Sequence, residues 1–226
     1  MEHLTATVRE VIHETSTTFL VRLALPEPLV FKPGQYVMVQ IDDEHVKPYS
    51  IASPPSEKAY IEFCIRRVEG GYVSSYMYNL KPNQRLKLMG PVGSFVLREV
   101  TTDIVFLATG TGISSLKGMI DTIFERGTEK EIWLFFGNRT EDEIIYREHF
   151  EELAKQHKNF HFIPCLSRAS DIWKGERGYA QDVMKKHLAN PKEKDVYICG
   201  VAAMVEQAAG VCKAMGFRNV YFEKYV

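Results

Sequence analysis

This sequence has little of several things, and each shortage narrows what the chain can do. No apolar run approaches the roughly 20 residues that a membrane span requires. The most sustained one, Ile104 to Ala108, is far too short. The start, Met1-Glu2-His3-Leu4, lacks the basic and then apolar run of a secretory signal, so a cytoplasmic chain is expected. Neither sign of charge dominates. The 28 Lys and Arg against 29 Asp and Glu leave a formal net charge of -1, which gives no overall attraction to nucleic acid or to an anionic membrane. Cysteine is scarce and scattered. Cys64, Cys165, Cys199 and Cys212 form neither a C-x-x-C pair nor the spacing of an iron-sulfur loop, so no metal or cluster site is expected. Cys64, Cys165 and Cys212 read as small buried apolar residues. Internal repeats and low-complexity tracts are missing as well. The 226 residues, 45% of them hydrophobic, suffice for one large core or two small ones, which excludes a disordered tail and a disulfide-stapled mini-protein.

The residues present follow two different grammars. Up to about residue 100 they form short β-type runs, at Thr15 to Leu25, Tyr36 to Ile41 and Tyr60 to Ile65, punctuated by Pro26, Pro28, Pro33, Pro54, Pro55, Pro82 and Pro91. This pattern predicts an antiparallel barrel or sandwich with one helical interruption, from Val73 to Leu80. Beyond Arg98 strands and helices alternate. The runs Ile104 to Ala108, Ile132 to Phe136, Phe160 to Cys165 and Val196 to Cys199 lack polar alternation, so they predict strands buried on both faces of a parallel, doubly wound sheet. Met204, Val205, Ala208, Val211, Cys212 and Met215 recur at helical spacing. A composition shift at residues 98 to 103 divides the chain into domains 1–100 and 101–226.

Thr109-Gly110-Thr111-Gly112 connects a buried strand to an apolar-periodic helix. Such a turn can bring bare amides to a phosphate at a helix N-terminus. It is not G-x-G-x-x-G, since Gly118 comes six residues after Gly112, and taken alone a tight turn explains it equally well.

More weight comes from an ordered series: Lys47-Pro48-Tyr49-Ser50, then Gly70-Gly71-Tyr72-Val73-Ser74, then the Gly-Thr-Gly turn, then Cys199-Gly200, then Phe222-Glu223-Lys224-Tyr225-Val226. Together these resemble the ferredoxin-NADP reductase superfamily over nearly the whole chain. The resemblance implies a Greek-key flavin barrel followed by a nucleotide-binding α/β domain. FAD is favoured over FMN as the cofactor, with NADPH or NADH as electron donor and a mild preference for NADPH. By the same resemblance Tyr49 packs on the isoalloxazine and the Ser50 hydroxyl approaches its N5, on a strand with Lys47 and Pro48. Ile65 adds to the flavin site, and Gly71, Val73 and Ser74 hold the pyrophosphate. Ser74 is also placed to cap the helix. Thr109, Gly110, Thr111, Gly112, Cys199 and Gly200 bind the nicotinamide nucleotide, with Cys199 against the nicotinamide. Ser167, Arg168, Arg177 and Tyr179 face its adenosine end. Glu223 serves the reacting centre, and Tyr225 covers the flavin on a tail that returns to it, to be displaced when the nucleotide binds. The family's usual Arg is Lys47 here, a point charge rather than a two-pronged donor. The loop Gly137 to Asp142 matches the family's second-strand loop, and Asp142 is a candidate cap for the following helix.

The implied activity is transfer of electrons from NAD(P)H through FAD to a separate carrier: a ferredoxin, a flavodoxin or an oxygenase component. Lys47, Arg66, Arg67, Lys81 and Arg85 are available to meet an acidic partner. The alternatives are an NAD(P)H-flavin or ferric reductase, or an electron-transfer subunit of a larger complex.

Overall fold

The computed structural model describes residues 2–188 and 190–225. It divides into two compact units. One comprises residues 1–97 with 114–126, the other residues 98–113 with 127–226.

The first unit is an antiparallel sheet in the order β4-β3-β6-β1-β2-β5. Its strands are β1 (Glu2–His13), β2 (Thr18–Ala24), β3 (Tyr36–Gln40), β4 (Val46–Ser50), β5 (Ile61–Arg66) and β6 (Arg85–Val92). Alternation creates the interior. In β3 Val37 and Val39 are buried between half-exposed neighbours, and in β6 Leu86 and Leu88 do the same, as expected of strands with one wet face. These side chains meet Phe19, Val21, Leu23 and Phe63 in one core. Just past β4 the Ala52 amide donates to the Glu62 carbonyl at 2.8 Å, which links the two outer strands of the sheet. The helical interruption is α1 (Tyr72–Tyr78), with Met77 buried against the barrel.

One helix of this unit comes from further along the chain. Whereas the composition shift divides the sequence once, α2 (Ile113–Arg126) packs with the barrel from Ser114 onward. Gly118 permits the approach, because a Cβ there would stand 3.1 Å from the Ser53 carbonyl oxygen. An ionic network completes the junction. Lys117 Nζ lies 2.9 Å from Asp121 and 3.7 Å from Glu62, and Glu62 also receives the Arg22 Nε–H at 2.8 Å. Burial alone would lower the Lys117 pKa, but the charges of Asp121 and Glu62 outweigh it and the ammonium is held above its ordinary value.

The second unit is an all-parallel sheet in the order β10-β9-β8-β7-β11-β12. Its strands are β7 (Ile104–Thr109), β8 (Ile132–Asn138), β9 (Phe160–Leu166), β10 (Glu176–Arg177), β11 (Asp195–Val201) and β12 (Asn219–Tyr225). Helices α4 (Ala180–His187) and α5 (Ala202–Met215) bury Val183, Met184, Val205, Ala208 and Cys212 against Val105, Leu107, Phe135 and Ile198. Helix α3 (Arg147–Gln156) turns Phe150 toward Phe160 and Phe162. From β7 the chain winds outward through β8, β9 and β10, then returns to lay β11 against the other side of β7. The strand order therefore reverses between β7 and β11, and ligands of open α/β sheets sit beyond the carboxyl ends of the strands at such a point.

The expected tail is the edge strand β12, with Tyr225 in register with Val201; Val226 lies outside the described residues. Asp142 falls in a short 3-10 turn and does not cap α3, whose N-cap is Tyr146. All four cysteines are buried thiols outside any disulfide. Desolvation pushes the Cys165 and Cys212 thiols up to about 12.

Candidate functional site

In the second unit the switch point brings together residues that the sequence separates by ninety positions. β7 ends at Thr109, and a short 3-10 turn, Gly110–Gly112, leads into α2. β11 ends beside it. A Cβ on Gly112 would lie 2.5 Å from the Cys199 carbonyl oxygen, and one on Gly200 would lie within contact of the Thr109 hydroxyl. Only glycines allow this approach. Gly110 has φ +52° with nothing within 4 Å of where a Cβ would stand, so open space lies beside this residue. Thr109 Oγ1 is buried without a hydrogen-bond partner, and buried hydroxyls are rarely left so. An uncovered glycine turn beside an unsatisfied hydroxyl fits a nucleotide. Cys199 faces Glu223 across the β11–β12 ladder, and the thiol side chain is fully buried.

The expected adenosine-end residues separate in the structure. Ser167 and Arg168 continue β9, their amides donating to the Asn138 and Arg139 carbonyls at 3.0 and 2.8 Å. Arg168 lines a cavity of about 530 Å³ with Thr140, Glu141, Asp142, Arg147 and Ser170. Arg147 is already paired with Glu141 and Glu151, and the nearby Arg139 is paired with Glu143. Arg177 holds the 169–173 loop, donating to the carbonyls of Ala169, Ser170, Asp171 and Trp173 at 3.3, 2.7, 3.5 and 3.2 Å. Tyr179 is exposed as the N-cap of α4. Sequence reasoning missed Gln181 in the first turn of α4. It is buried, and its amide oxygen has no partner. No motif marks it, and its only signal is a polar side chain that ends up in a core.

The first unit carries the other set. β4 is the sheet edge and presents Lys47 and Pro48 outward. Tyr49 stacks on Phe63 with ring centroids 5.6 Å apart and 27° between planes, and burial pushes its phenol up to about 12. Ser50 is half-buried at the end of the strand, and Ile65 is buried in β5. The glycine loop differs from expectation in one respect. Gly71, not Ser74, is the N-cap of α1, because the Ser74 side chain folds back into the loop. Its Oγ accepts the Val68 amide at 3.0 Å and has the Gly71 and Val68 carbonyls within donating reach. Ser74 thus shapes the turn that carries Val73. Gly70, at φ +71° with open space around it, leaves the loop backbone uncovered. A flat ring and a hydroxyl on one strand, with an uncovered glycine loop nearby in sequence, fit a flavin dinucleotide.

Comparison with known proteins agrees with both halves. The oxidoreductase FAD-binding domain family matches residues 4–97, and the oxidoreductase NAD-binding domain family matches residues 106–210. Ferredoxin--NADP reductase B of Sorangium cellulosum is 32% identical over 209 residues, 87% of this chain and 86% of its own length. The anthranilate 1,2-dioxygenase electron transfer component of Acinetobacter baylyi is 33% identical over 202 residues, 88% of this chain. The phenol hydroxylase P5 protein of Acinetobacter pittii is 35% identical over 98% of this chain. The chain spans only 59% and 65% of those last two relatives. Among solved structures, the Amycolatopsis cytochrome P450 reductase GcoB matches with a TM-score of 0.92 and 30% identity over 99% of this chain and 69% of that one. With an FAD-binding domain followed by an NAD-binding domain, the chain belongs to the ferredoxin-NADP reductase superfamily.

Proposed function

We propose that this protein is an NAD(P)H reductase that passes electrons through FAD to a separate one-electron carrier. The observation that carries this reading is the meeting of Thr109, Gly110, Gly112 and Cys199-Gly200 at the strand-order reversal. Bound FAD would accept two electrons and release them singly, which is chemistry no side chain here supplies. The protein's own part is placement. The Gly110 turn and the Thr109 hydroxyl would receive the nucleotide phosphates. Cys199 would shape the nicotinamide side of the site rather than react covalently. Glu223, its register partner, would hold or move a proton near the same atoms. Tyr225 would take the role the resemblance gives it, an aromatic cover on the flavin that is displaced when the nucleotide binds. On the barrel, Tyr49 and Ser50 would face the flavin ring, with Lys47, Pro48 and Ile65 around it, and Gly71, Val73 and Ser74 would form the pyrophosphate loop.

For the nucleotide's adenosine end, Arg168 is the cavity guanidinium without a carboxylate partner among the described residues, which supports a mild NADPH preference. Ser167, Arg177 and Tyr179 remain candidates for the same end. The names of the relatives, electron transfer component and ferredoxin--NADP reductase, support a carrier protein or an oxygenase component as acceptor. Among the described residues no helix is long and apolar enough to cross a membrane. Buried thiols outside any disulfide suit a reducing compartment, which supports a cytoplasmic setting.

The visible spectrum of the purified protein, read before and after anaerobic NADPH or NADH, tests the reading. A flavin band that bleaches is expected, with cytochrome c reduction stimulated by added ferredoxin. A colourless protein that takes up no FAD overturns it. Ser50→Ala should slow flavin reduction while FAD stays bound.

A further inference from the structure

We propose that Asp42, His45 and Tyr72 form a clasp that presets the spacing between the two halves of the flavin site, making them positioning residues for FAD. The inference rests on the reading that Tyr49 and Ser50 face the flavin ring and the Gly71–Ser74 loop faces its pyrophosphate.

Those halves come from different parts of the barrel. Tyr49 and Ser50 lie on β4, which is laddered to β3, whereas Gly71 and Ser74 follow β5 and open α1. The clasp joins the entrance of one to the entrance of the other. Asp42 Oδ1 closes the turn between β3 and β4 by accepting the amides of Glu44 and His45 at 2.9 and 2.8 Å. The same oxygen lies 2.8 Å from His45 Nδ1. The His45 ring packs on the Tyr72 ring, with centroids 4.8 Å apart and 51° between planes. The Asp42 carboxylate in turn acts on the Tyr72 phenol, holding it in its protonated form. Tyr72 is the first residue of α1 and directly follows Gly71. His45 directly precedes β4. Core formation does not account for this arrangement, because Tyr72 is 56% exposed and stands outside the barrel core.

A ligand that touches both halves benefits when their spacing is set before it arrives, since the ordering cost is already met in the free protein. A ligand that touches one half gains nothing. FAD reaches both, whereas riboflavin, which has the ring system and no phosphate, engages the β4 half alone.

The test compares dissociation constants for FAD and riboflavin on the full chain, stripped of flavin and titrated by fluorescence. Asp42→Ala and Tyr72→Ala should each weaken FAD about tenfold, a loss typical of one well-made contact, with riboflavin binding unchanged. Asp42→Asn keeps an oxygen for the turn amides and the imidazole, and should restore most of the FAD affinity. Tyr72→Ala, at an exposed position, removes the ring contact without touching the turn. Unchanged FAD affinity in both alanine variants, or FAD and riboflavin weakened equally, overturns the clasp while the flavin site stands. A wild-type chain that binds neither flavin overturns the flavin site and the clasp together.

Discussion

Cys199 and Glu223 are register partners on adjacent parallel strands, β11 and β12. The resemblance selects them separately, one at a strand end and one near the C-terminus, and the sheet places them side by side. Residues acting on the same reacting atoms are expected to be non-additive. Cys199→Ala and Glu223→Gln should each slow flavin reduction by NAD(P)H about tenfold or more, and the double variant should be little worse than the poorer single one. Stopped-flow absorbance at the flavin band measures this, and fully multiplicative losses would separate the two roles.

The fit of Gly112 against the Cys199 carbonyl predicts a selective lesion. In Gly112→Ala the new methyl would stand 2.5 Å from that oxygen, so the turn or the end of β11 must shift, with overpacking costs of ~1–3 kcal/mol. Nucleotide affinity should fall at least tenfold while the FAD spectrum is retained. Titration with NADP+ followed by flavin difference absorbance is the measurement.

Two arginines expected to share a role should behave differently. Arg168→Ala should lower kcat/KM for NADPH by about tenfold and leave NADH unchanged, since a charge-assisted phosphate contact is worth ~1.5–3 kcal/mol. Arg177→Ala removes the donors that hold the 169–173 carbonyls. Its effect should be a lower melting temperature with the NADPH-to-NADH ratio retained. A changed ratio in Arg177→Ala would return that residue to the binding site.

The buried Lys117 network predicts both a stability loss and an alkaline limb. Lys117→Met removes the ammonium that Glu62 and Asp121 share, leaving Glu62 its bond from Arg22, and breaking such a buried pair costs ~3–5 kcal/mol. Because the folded-state pKa is raised above 10.5, the network's contribution is complete below 10.5 and is lost as pH rises through the folded value. Denaturant unfolding of the wild type should therefore weaken above that pH, and the Lys117→Met protein should show a flatter profile there. Parallel profiles would mean that the network contributes no linkage.

Much of this protein was legible along the chain. Polar alternation in Tyr36 to Ile41, unbroken apolar runs at Ile104 and Ile132, and the glycine turn between strand and helix are local properties, and local sterics and hydrophobic periodicity dictate them. Tyr49 and Ser50 read as strand residues and Gly110 as part of a turn after a strand, and the fold has them so. Other features depended on which partners the fold brings to a side chain. Ser74 reads as a helix cap, yet its side chain folds back onto Val68 and Gly71 takes the cap position. Arg177 reads as a candidate for the nucleotide's adenosine end, and the fold brings four loop carbonyls within its reach. α2 reads as part of the nucleotide half, while Gly118 and the Glu62–Lys117–Asp121 network settle it on the barrel. The C-terminal aromatics read as a tail, and hydrogen bonding to β11 makes them an edge strand. The sequence by itself determined the type of each element and the chemistry it carries. Tertiary structure decided which of those groups are left unpaired, because that depends on what the rest of the chain brings within hydrogen-bonding distance.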